Sequence, residues 1–260
     1  MQELSYMLYE KKDQIAYITI NRPEVRNAMS PDCWEEFGRC LTDVEQDFNI
    51  RVLIITGAGN KAFISGADIT ELKTRTPMFQ LYYPHSLTQM RRIENLAKPV
   101  IAAINGTAFG GGFETALSCD IRVASRTAKF GLPEPNLGIL PGAGGTQRLA
   151  RIVGVGRAKE IILAGKILTA EEACQNGLIM KVTEPETLME EATEIAKVMI
   201  KKAPVSLNIS KQLINHALDT DLSTGYLAEQ LGFCTLLATE DKLEGTSAFL
   251  EKRPAKFKGQ

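Results

Sequence analysis

Short apolar segments rich in β-branched residues alternate with amphipathic segments through the first half of the chain. Each apolar segment is bounded by turn signals such as NRP, GAGN or a Gly-rich stretch, a pattern typical of strands. Four strands are predicted in this way: Ile15–Ile20, Val52–Thr56, Val100–Ile104 and Ile121–Ala124. The first of them, IAYITI, alternates in the manner of a strand.

The segment Ser30–Asp47 has the pattern of an amphipathic helix. It opens with Ser-Pro, a helix cap followed by proline at the first helical position. Apolar residues then recur at intervals of three and four, which places Trp34, Phe37, Leu41 and Val44 on one buried face. Alternation of strands and helices predicts an α/β fold with mostly parallel strands and right-handed crossovers.

From about residue 144 the pattern becomes mainly helical, with a single predicted strand at Ile179–Thr183. The predicted helices are Gly145–Val153, Ala158–Ala164, Ala170–Asn176, Glu186–Lys202, Leu207–Leu218 and Leu222–Thr239. We therefore expect an α/β core with the active site at residues 1–195 and a helical oligomerisation region at residues 196–260. The run Thr224–Ala238 is apolar on much of its surface, which predicts contacts with another subunit.

Composition limits the classes of partner. The 260 residues include 30 Lys+Arg and 31 Asp+Glu, and the net charge of −1 excludes a strong global attraction to nucleic acid or anionic membranes. No apolar run approaches the roughly 20 residues of a membrane span. The N-terminus, MQELSYMLYEKKDQ, has neither the basic start and apolar core of a signal peptide nor the composition of a transit sequence. These features predict a cytoplasmic protein with no membrane or nucleic-acid partner.

Metal and thiol chemistry are disfavoured. The five cysteines include no CxxC pair, which argues against a disulfide framework and a thiolate zinc site. We expect all five to be small buried residues in a reducing compartment: Cys33, Cys40, Cys119, Cys174 and Cys234. The two histidines, His85 and His216, stand apart from any ligand motif. No metal site is expected, and the acid–base groups of an enzyme would be carboxylates.

Glycine is concentrated in two segments, Ala103–Asp120 and Phe130–Leu149. Neither contains a dinucleotide fingerprint, a phosphate loop or a GxSxG nucleophile elbow. In the first segment a predicted strand runs into Gly110–Gly112, and a helix is expected to begin near Phe113. The N–H groups at a helix start have no internal partner, so they suit an anion or a developing oxyanion.

Two glutamates are candidates for acid–base chemistry. Glu114 is expected in the first turn of that helix, where the alternative is a carboxylate that only complements the helix dipole. Glu134 follows twenty residues later between Pro133 and Pro135, and we expect it to be extended on a stiff loop. Apolar and glycine neighbours favour a raised pKa for Glu134, as a general acid or base requires. The alternative is an exposed loop glutamate.

Four motifs then show a resemblance to a known family. The strings NGTAFGGGFETALSCD and FGLPEPNLGILPGAGGTQRL resemble the signature of the crotonase (enoyl-CoA hydratase/isomerase) superfamily. The upstream strings NRPEVRNAMS and AFISGADI match the same family in the same order, and the resemblance covers essentially the whole chain. It implies a crotonase-type spiral fold of ββα units with a C-terminal helical trimerisation region. It also implies a homotrimer or a homohexamer built as a dimer of trimers.

The resemblance implies roles for individual residues. In this family the N–H groups at the positions of Ala67 and Gly111 form an oxyanion hole for the acyl-thioester oxygen. Its hydratases carry two catalytic glutamates, at the positions of Glu114 and Glu134. The implied reaction is reversible hydration of a short-chain trans-2-enoyl-CoA to a 3-hydroxyacyl-CoA, in fatty-acid or related acyl-CoA metabolism. CoA is part of the substrate, so no separate cofactor is implied.

Contacts with CoA are implied along two loops and at the C-terminus. Arg26 is a candidate for clamping the CoA phosphates, with an exposed surface charge as the alternative. The C-terminal stretch Phe249–Gln260 carries four Lys/Arg against Glu251 alone and could meet CoA from a neighbouring subunit. The implied substrate- and CoA-binding residues are Val25, Arg26, Ala28, Gly66, Ala67, Asp68, Ile69, Thr70, Gly111 and Lys252.

Some positions depart from the family pattern and keep other functions open. Thr70 stands where many hydratases have lysine, Phe113 and Thr115 flank Glu114 unusually, and Pro135 is less usual. A second interpretation is therefore a hydratase of branched, cyclic or aromatic acyl-CoA, or an acyl-CoA hydrolase or lyase of the same fold. A third is a non-catalytic RNA-binding or scaffold protein, which the near-zero net charge and both glutamates count against.

Overall fold

The computed structural model describes residues 3–260, with ten strands and twelve α-helices in that range. The strands are β1 (Met7–Lys12), β2 (Ile15–Ile20), β3 (Val52–Gly57), β4 (Ala62–Ile64), β5 (Val100–Ile104), β6 (Thr107–Phe109), β7 (Ile121–Ser125), β8 (Lys129–Gly131), β9 (Leu168–Thr169) and β10 (Lys181–Thr183). The helices are α1 (Pro31–Gln46), α2 (Ile69–Thr74), α3 (Pro77–Tyr82), α4 (His85–Asn95), α5 (Gly111–Ser118), α6 (Gly145–Val153), α7 (Val155–Leu163), α8 (Ala170–Gln175), α9 (Leu188–Ile200), α10 (Pro204–His216), α11 (Leu222–Leu237) and α12 (Glu240–Leu250).

The strands form two sheets. The larger has the order β1-β2-β3-β5-β7-β10, in which β1 and β2 are antiparallel and every other pair is parallel. The smaller has the order β4-β6-β8-β9, parallel except for the last pair. All residues of β3 and β5 are buried, as expected for strands covered on both faces. The prediction of an α/β fold with mostly parallel strands is confirmed.

A strand–strand–helix unit recurs three times along the chain. The sequence β3-β4 is followed by α2 to α4, β5-β6 by α5, and β7-β8 by α6 and α7. In each unit the first strand joins the larger sheet and the second joins the smaller one. The small-sheet strands have only two or three residues, so they carry no readable periodicity. For this reason the sequence predicted five of the six large-sheet strands, all except β1, and missed those of the small sheet.

The two faces of the larger sheet belong to two hydrophobic clusters. Leu53 and Ile55 lie in the main cluster with α1 and α5, whereas Val52 and Ile54 point to the other face. Helix α9 covers that second face with a row of small and apolar side chains: Leu188, Ala192 and Ala196. The predicted division between residues 195 and 196 falls within α9, and the division into two regions remains a prediction.

The amphipathic helix predicted from Ser30 is α1. The Ser30 hydroxyl accepts the Cys33 N–H at 3.3 Å, which caps the helix as expected. Its predicted apolar face is buried. Helix α5 begins at Gly111, two residues before the expected start near Phe113. Helix α12 was not predicted, because its sequence mixes charged and apolar positions without a clear face.

The predicted burial of all five cysteines is confirmed for three of them. Cys33, Cys40 and Cys119 are buried, but Cys174 is half-buried and Cys234 is exposed. Cys234 belongs to α11, which has no buried residue in the single chain although it is rich in apolar side chains. The expectation of full burial is wrong for these two cysteines, because helical pattern alone does not show which helices have a covering element. No helix within residues 3–260 has the length and apolar character to cross a membrane.

A buried lysine ties the C-terminal helices to the core. The Lys211 side chain on α10 is 7% exposed, and its Nζ lies 2.8 Å from Asp120 Oδ2. The same ammonium donates to the carbonyl oxygens of Ile93 at 3.0 Å and Lys98 at 3.2 Å. Asp120 also accepts the Val100 N–H at 2.7 Å. Loss of the ammonium would leave both the carboxylate and the carbonyls without this donor.

We predict that Lys211→Met lowers the free energy of unfolding by about 3 kcal/mol, because removal of one partner leaves an uncompensated charge in a buried site. Urea denaturation of the purified protein measures this loss. Lys197→Met is the matched control, since Lys197 forms an exposed ion pair with Glu194 on α9 and should change stability little. Equal midpoints and slopes for the two variants would contradict the prediction.

Candidate active site

Parallel pairing in the smaller sheet brings Ala67 and Gly111 into neighbouring positions. Strand β4 pairs with β6, with Ile64 opposite Ala108. Beyond the paired residues, the segment after β4 continues to Ala67 and the segment after β6 enters α5 at Gly111. The two backbone segments that the sequence singled out therefore leave the same end of the same pair of strands.

Backbone hydrogen bonds set the direction of the Ala67 N–H. Ala67 forms an isolated parallel bridge with Met29. In this bridge the Met29 N–H donates to the Gly66 carbonyl at 2.9 Å, and the Asp68 N–H donates to the Met29 carbonyl at 3.0 Å. Because these bonds use the neighbours of Ala67, its own N–H points to the opposite edge. That edge borders Phe109, whose carbonyl oxygen would lie 3.4 Å from a Cβ added at Gly66.

The start of α5 depends on glycine. Gly110, just before the helix, has a φ of +51°, a backbone region that favours glycine. A Cβ added at Gly112 would overlap the Ile64 carbonyl oxygen, so α5 can approach β4 this closely only without a side chain. Gly111 is the first helical residue, and its N–H has no intrahelical carbonyl to bind. The positive end of the helix dipole therefore faces the site.

Glu114 lies in the first turn of α5 and its residue is only 2% exposed. Its Oε1 accepts two backbone N–H groups, from Ala143 at 2.8 Å and from Gly145 at 2.7 Å. Burial raises the pKa of this carboxyl, while the two N–H donors and the charge of Arg148 oppose the rise. Glu114 therefore does more than complement the helix dipole: it is a buried carboxyl with a dedicated pair of donors.

Glu134 lies in a different environment. It is the first residue of the 3₁₀ turn Glu134–Leu137, so the expected extended conformation before Pro135 is wrong. The residue is 9% exposed, which excludes the exposed loop glutamate considered as the alternative. Its Oε2 is buried without a hydrogen-bond partner among the described residues. Burial, assisted by the charge of Glu114 and opposed by the Glu134 N–H, raises its pKa to about 7.

The two carboxyl groups flank the start of α5. A Cβ added at Gly110 would lie 3.1 Å from Glu134 Oε1, so this carboxyl borders the residue before the helix. Glu114 lies one turn into the same helix, and its charge acts on Glu134. One carboxyl has two backbone donors and the other has a buried unpaired oxygen. Carboxyl groups in such unlike environments can serve as base and acid at one pH.

The residues flanking Glu114 do not line the site. Phe113 is fully buried and packs against Phe130, with ring centroids 5.4 Å apart. Thr115 is also fully buried, and its hydroxyl donates to the Gly111 carbonyl at 2.7 Å. Both side chains belong to the core behind α5. They therefore give no reason to expect an unusual acyl pocket.

The first of the two implied CoA loops is held by a buried asparagine. Asn27 is fully buried with a φ of +58°; its Oδ1 accepts the Arg22 N–H at 3.0 Å and its Nδ2 donates to the Ala62 carbonyl at 2.8 Å. Val25 and Arg26 are exposed beside it. Arg26 borders a polar cleft whose lining residues are Pro23, Arg26, Asn27, Ala58, Gly59, Asn60, Lys61 and Ala62.

The second loop is ordered by Asp68. Its Oδ1 accepts the Thr70 N–H at 3.2 Å and the Thr70 hydroxyl at 2.7 Å, which caps α2. Its Oδ2 lies 3.3 Å from Arg22 Nη1, and this guanidinium also donates to the Ala28 carbonyl at 2.7 Å. Arg22 therefore joins the two loops. Ile69, the first residue of α2, is exposed.

Lys252 stands apart from this group. It is an exposed residue after α12, with a φ of +54°, and shares no hydrogen bond or ion pair with the site residues among those described. The neighbouring Arg253 pairs with Glu244 and Glu251. The basic C-terminal stretch is therefore partly neutralised within the chain. Within residues 3–260, no group of three or more His, Cys, Asp or Glu side chains could hold a metal ion.

Comparison with known proteins agrees with the motifs. A family profile described as Enoyl-CoA hydratase/isomerase matches residues 10–260. The chain belongs to this family. It is 44% identical over 252 residues to the short-chain-enoyl-CoA hydratase of Clostridium acetobutylicum, covering 96% of this chain and 97% of that protein. It is 42% identical over 253 residues to the crotonyl-CoA hydratase of Syntrophomonas wolfei, with 96% and 97% covered.

The fold has close counterparts among solved structures. The crystal structure of enoyl-CoA hydratase from Bacillus anthracis matches with a TM-score of 0.94 and 40% identity, over 98% of this chain and 100% of that one. The crotonase-type α/β spiral, with its C-terminal helices, is thereby confirmed. The prediction of an enzyme of this superfamily is confirmed as well.

Several residues around the site were not singled out by the sequence. Ala143 and Gly145 lie in the GAGG run, which was noted for glycine content but not as a donor to Glu114. Lys61 borders the same cleft as Arg26. The only feature of the sequence that could have pointed to Lys61 is its position directly before the AFISGADI motif. Arg148, in the TQRL string, contacts the loop that holds Glu114. Such contacts arise between segments distant in sequence.

We predict that Glu134→Gln changes how stability depends on pH. In the unfolded chain the Glu134 carboxyl has its ordinary pKa of 4.5, against about 7 when folded. Below pH 4.5 it is protonated in both states; between pH 4.5 and 7 the unfolded state loses the proton first, which favours unfolding. The stability of the wild type relative to Glu134→Gln should therefore fall by about 3 kcal/mol from pH 4.5 to 8.

Denaturant unfolding at a series of pH values measures this difference. Glu186→Gln serves as the control, because Glu186 is exposed in a surface turn far along the chain from the site. A difference between wild type and Glu134→Gln that stays constant across this range would disprove the raised pKa.

Proposed function

We propose that the chain catalyses the reversible hydration of a short-chain trans-2-enoyl-CoA to a 3-hydroxyacyl-CoA. The observation that carries this proposal is the pair of buried carboxyl groups, Glu114 and Glu134, in unlike environments beside the start of α5. The substrate class is supported by 44% and 42% identity to proteins named short-chain-enoyl-CoA hydratase and crotonyl-CoA hydratase. Metabolism of fatty acids or related acyl-CoA compounds is the expected setting.

The backbone supplies the electrophilic activation in this proposal. The thioester oxygen accepts hydrogen bonds from the N–H groups of Ala67 and Gly111. Negative charge grows on this oxygen as the enolate forms, and preorganised N–H donors with a helix dipole behind them stabilise it. Withdrawal of electrons toward the thioester carbonyl lowers the electron density at the β-carbon, so that water can attack this carbon.

Each of the two carboxyl groups carries out one of the two proton transfers in this proposal. Glu114, whose Oε1 has two N–H donors, acts as the carboxylate that removes a proton from water as the new C–O bond forms. Glu134, with its pKa raised to about 7, carries a proton in a large fraction of molecules near neutral pH. It donates this proton from its buried, unpartnered oxygen to the α-carbon.

The atoms balance over one cycle. The oxygen of one water joins the β-carbon, one of its protons moves to Glu114, and the proton of Glu134 joins the α-carbon. The product contains the elements of the substrate plus one water. Transfer of the extra proton from Glu114 to Glu134, directly or through water, restores the starting state. The same steps in reverse dehydrate the 3-hydroxyacyl-CoA.

CoA binding follows the two ordered loops in this proposal. The phosphates bind at the polar cleft, where Arg26 and Lys61 supply two cationic side chains. The pantetheine and adenine parts lie along 25–28 and 67–70, which Arg22 and Asp68 hold together. Lys252 contributes from a neighbouring subunit.

We predict that Glu114→Gln and Glu134→Gln each lower the rate of crotonyl-CoA hydration by about 10²- to 10⁴-fold, the usual value of general acid–base catalysis. Glutamine keeps the size of the side chain but neither accepts nor donates the required proton. Loss of the absorbance of the conjugated thioester measures the rate, and Glu186→Gln, at an exposed surface turn, should match the wild type.

Near-wild-type rates for both glutamine variants would refute the proposed mechanism. A panel of straight, branched, cyclic and aromatic acyl-CoA compounds, with products identified by mass spectrometry, tests the reaction type. Free CoA or a shortened acyl chain as the main product would favour a hydrolase or lyase of the same fold. Salt-sensitive RNA binding without turnover would favour a non-catalytic role.

We also propose assembly as a trimer or as a hexamer of two trimers. Helix α11 supports this, since its large apolar side chains are exposed in the single chain: Leu222, Tyr226, Leu227, Leu231, Phe233 and Leu237. Contiguous apolar surface of this kind marks an interface between proteins.

Sedimentation equilibrium is expected to give three or six times the chain mass of 28.5 kDa. Leu231→Glu, which places a charge in the centre of α11, should shift the protein toward smaller species. A wild type that sediments only as a monomer would overturn the assembly.

A further inference from the structure

The guanidinium of Arg148, on α6, is buried behind the candidate base. Its side chain is 11% exposed. Nη1 donates to the Ala143 carbonyl at 2.6 Å, and Nη2 donates to Glu94 Oε2 at 3.0 Å. Nε bonds the other oxygen of Glu94, so the two side chains form a two-point ion pair. Arg148 thus links α4, α6 and the loop before α6.

That loop is the one that holds Glu114. The Ala143 N–H and the Gly145 N–H both donate to Glu114 Oε1. Ala143 therefore binds Glu114 through its N–H and Arg148 through its carbonyl oxygen. A single residue lies between the guanidinium and the carboxylate, so movement of one is transmitted to the other.

Glycines make the loop fit closely on both sides. Gly144 has a φ of +97°, and a Cβ there would overlap the Arg148 guanidinium. A Cβ at Gly145 would lie 2.9 Å from Glu114 Oε1. The loop is therefore packed between the two side chains without spare space.

The charged groups around Glu114 are few. The charge of Arg148 opposes the rise in the pKa of Glu114, and the charge of Glu114 helps to raise the pKa of Glu134. Glu94 of α4 pairs with Arg148 on the side away from Glu114. Strands β4 and β6, which also pack on α5, carry no titratable side chain. Arg122 of β7 binds carbonyls at the other end of α5, where the Asp120–Lys211 pair also lies.

We propose that Arg148 is a positioning residue for hydration: it holds the loop 143–145 against Glu114 and so fixes that carboxylate for proton transfer. The inference rests on the proposed function, because it acts through the role of Glu114 as base. Arg148 itself contacts no reacting atom. Glu94 supports the guanidinium from α4 and completes the arrangement.

We expect Arg148→Met to lower kcat for crotonyl-CoA hydration by about 10- to 100-fold, since a displaced catalytic group costs this much, with KM changed little. Arg148→Lys should restore part of the rate, because lysine can donate to Ala143 or Glu94 but lacks the fork that binds both. Arg151→Met is the matched control: Arg151 is one turn along α6, exposed and paired with Asp219.

Two further readouts separate positioning from a merely structural role. The limb of the pH profile that reports the Glu114 base should move to higher pH in Arg148→Met, because the cation and the fixed N–H donors oppose the raised pKa. In a Glu114→Gln background, Arg148→Met should cause no further loss of rate, since Arg148 acts through Glu114.

If Arg148→Met fails to fold, Glu94→Gln gives the same test in a milder form. It keeps a hydrogen bond to the guanidinium but removes the charge of the ion pair, and should lower kcat several-fold. Folded Arg148 and Glu94 variants with unchanged kcat and pH profile, or with additive losses in the Glu114→Gln background, would overturn the inference. A Glu114→Gln variant that retains full activity would instead refute the proposed function.

Discussion

The close approach of α5 to β4 is the contact on which the site depends. Gly112 allows it, because any side chain there would overlap the Ile64 carbonyl oxygen. With the helix in this position, the Gly111 N–H has no intrahelical partner, Glu114 is buried, and Glu134 lies against Gly110. A contact between two short backbone segments thus brings the start of α5 against β4, beside both carboxyl groups.

The proposed chemistry depends on the difference in environment between the two buried carboxyl groups. Both are removed from water, and burial raises the pKa of both. The difference comes from their partners: Glu114 has two backbone N–H donors and a nearby cation, whereas Glu134 Oε2 has no partner among the described residues. A low-dielectric site strengthens every such difference, so a few hydrogen bonds suffice to separate a base from an acid.

The rest of the fold supports this arrangement at a distance. The parallel sheets bring successive strand–strand–helix units to one end, and α9 covers the outer face of the larger sheet. Lys211 then joins the C-terminal helices to the segments around β5. Helix α11 remains exposed in the single chain, with an apolar surface that fits the proposed assembly. The proposed catalytic and assembly surfaces thus lie on different parts of the same chain.

The sequence by itself determined five of the six large-sheet strands, the cap and buried face of α1 and the family, and it pointed to Glu114 and Glu134 as candidates, because these depend on local periodicity and on motifs that stay together along the chain. It did not reveal the 3₁₀ turn at Glu134, the exposure of Cys234 or the donors from Ala143 and Gly145. Only the tertiary structure decided these, since burial and hydrogen bonding depend on which distant segments pack together. The pKa of a carboxyl follows from those neighbours, and they have no signature at its own position in the chain.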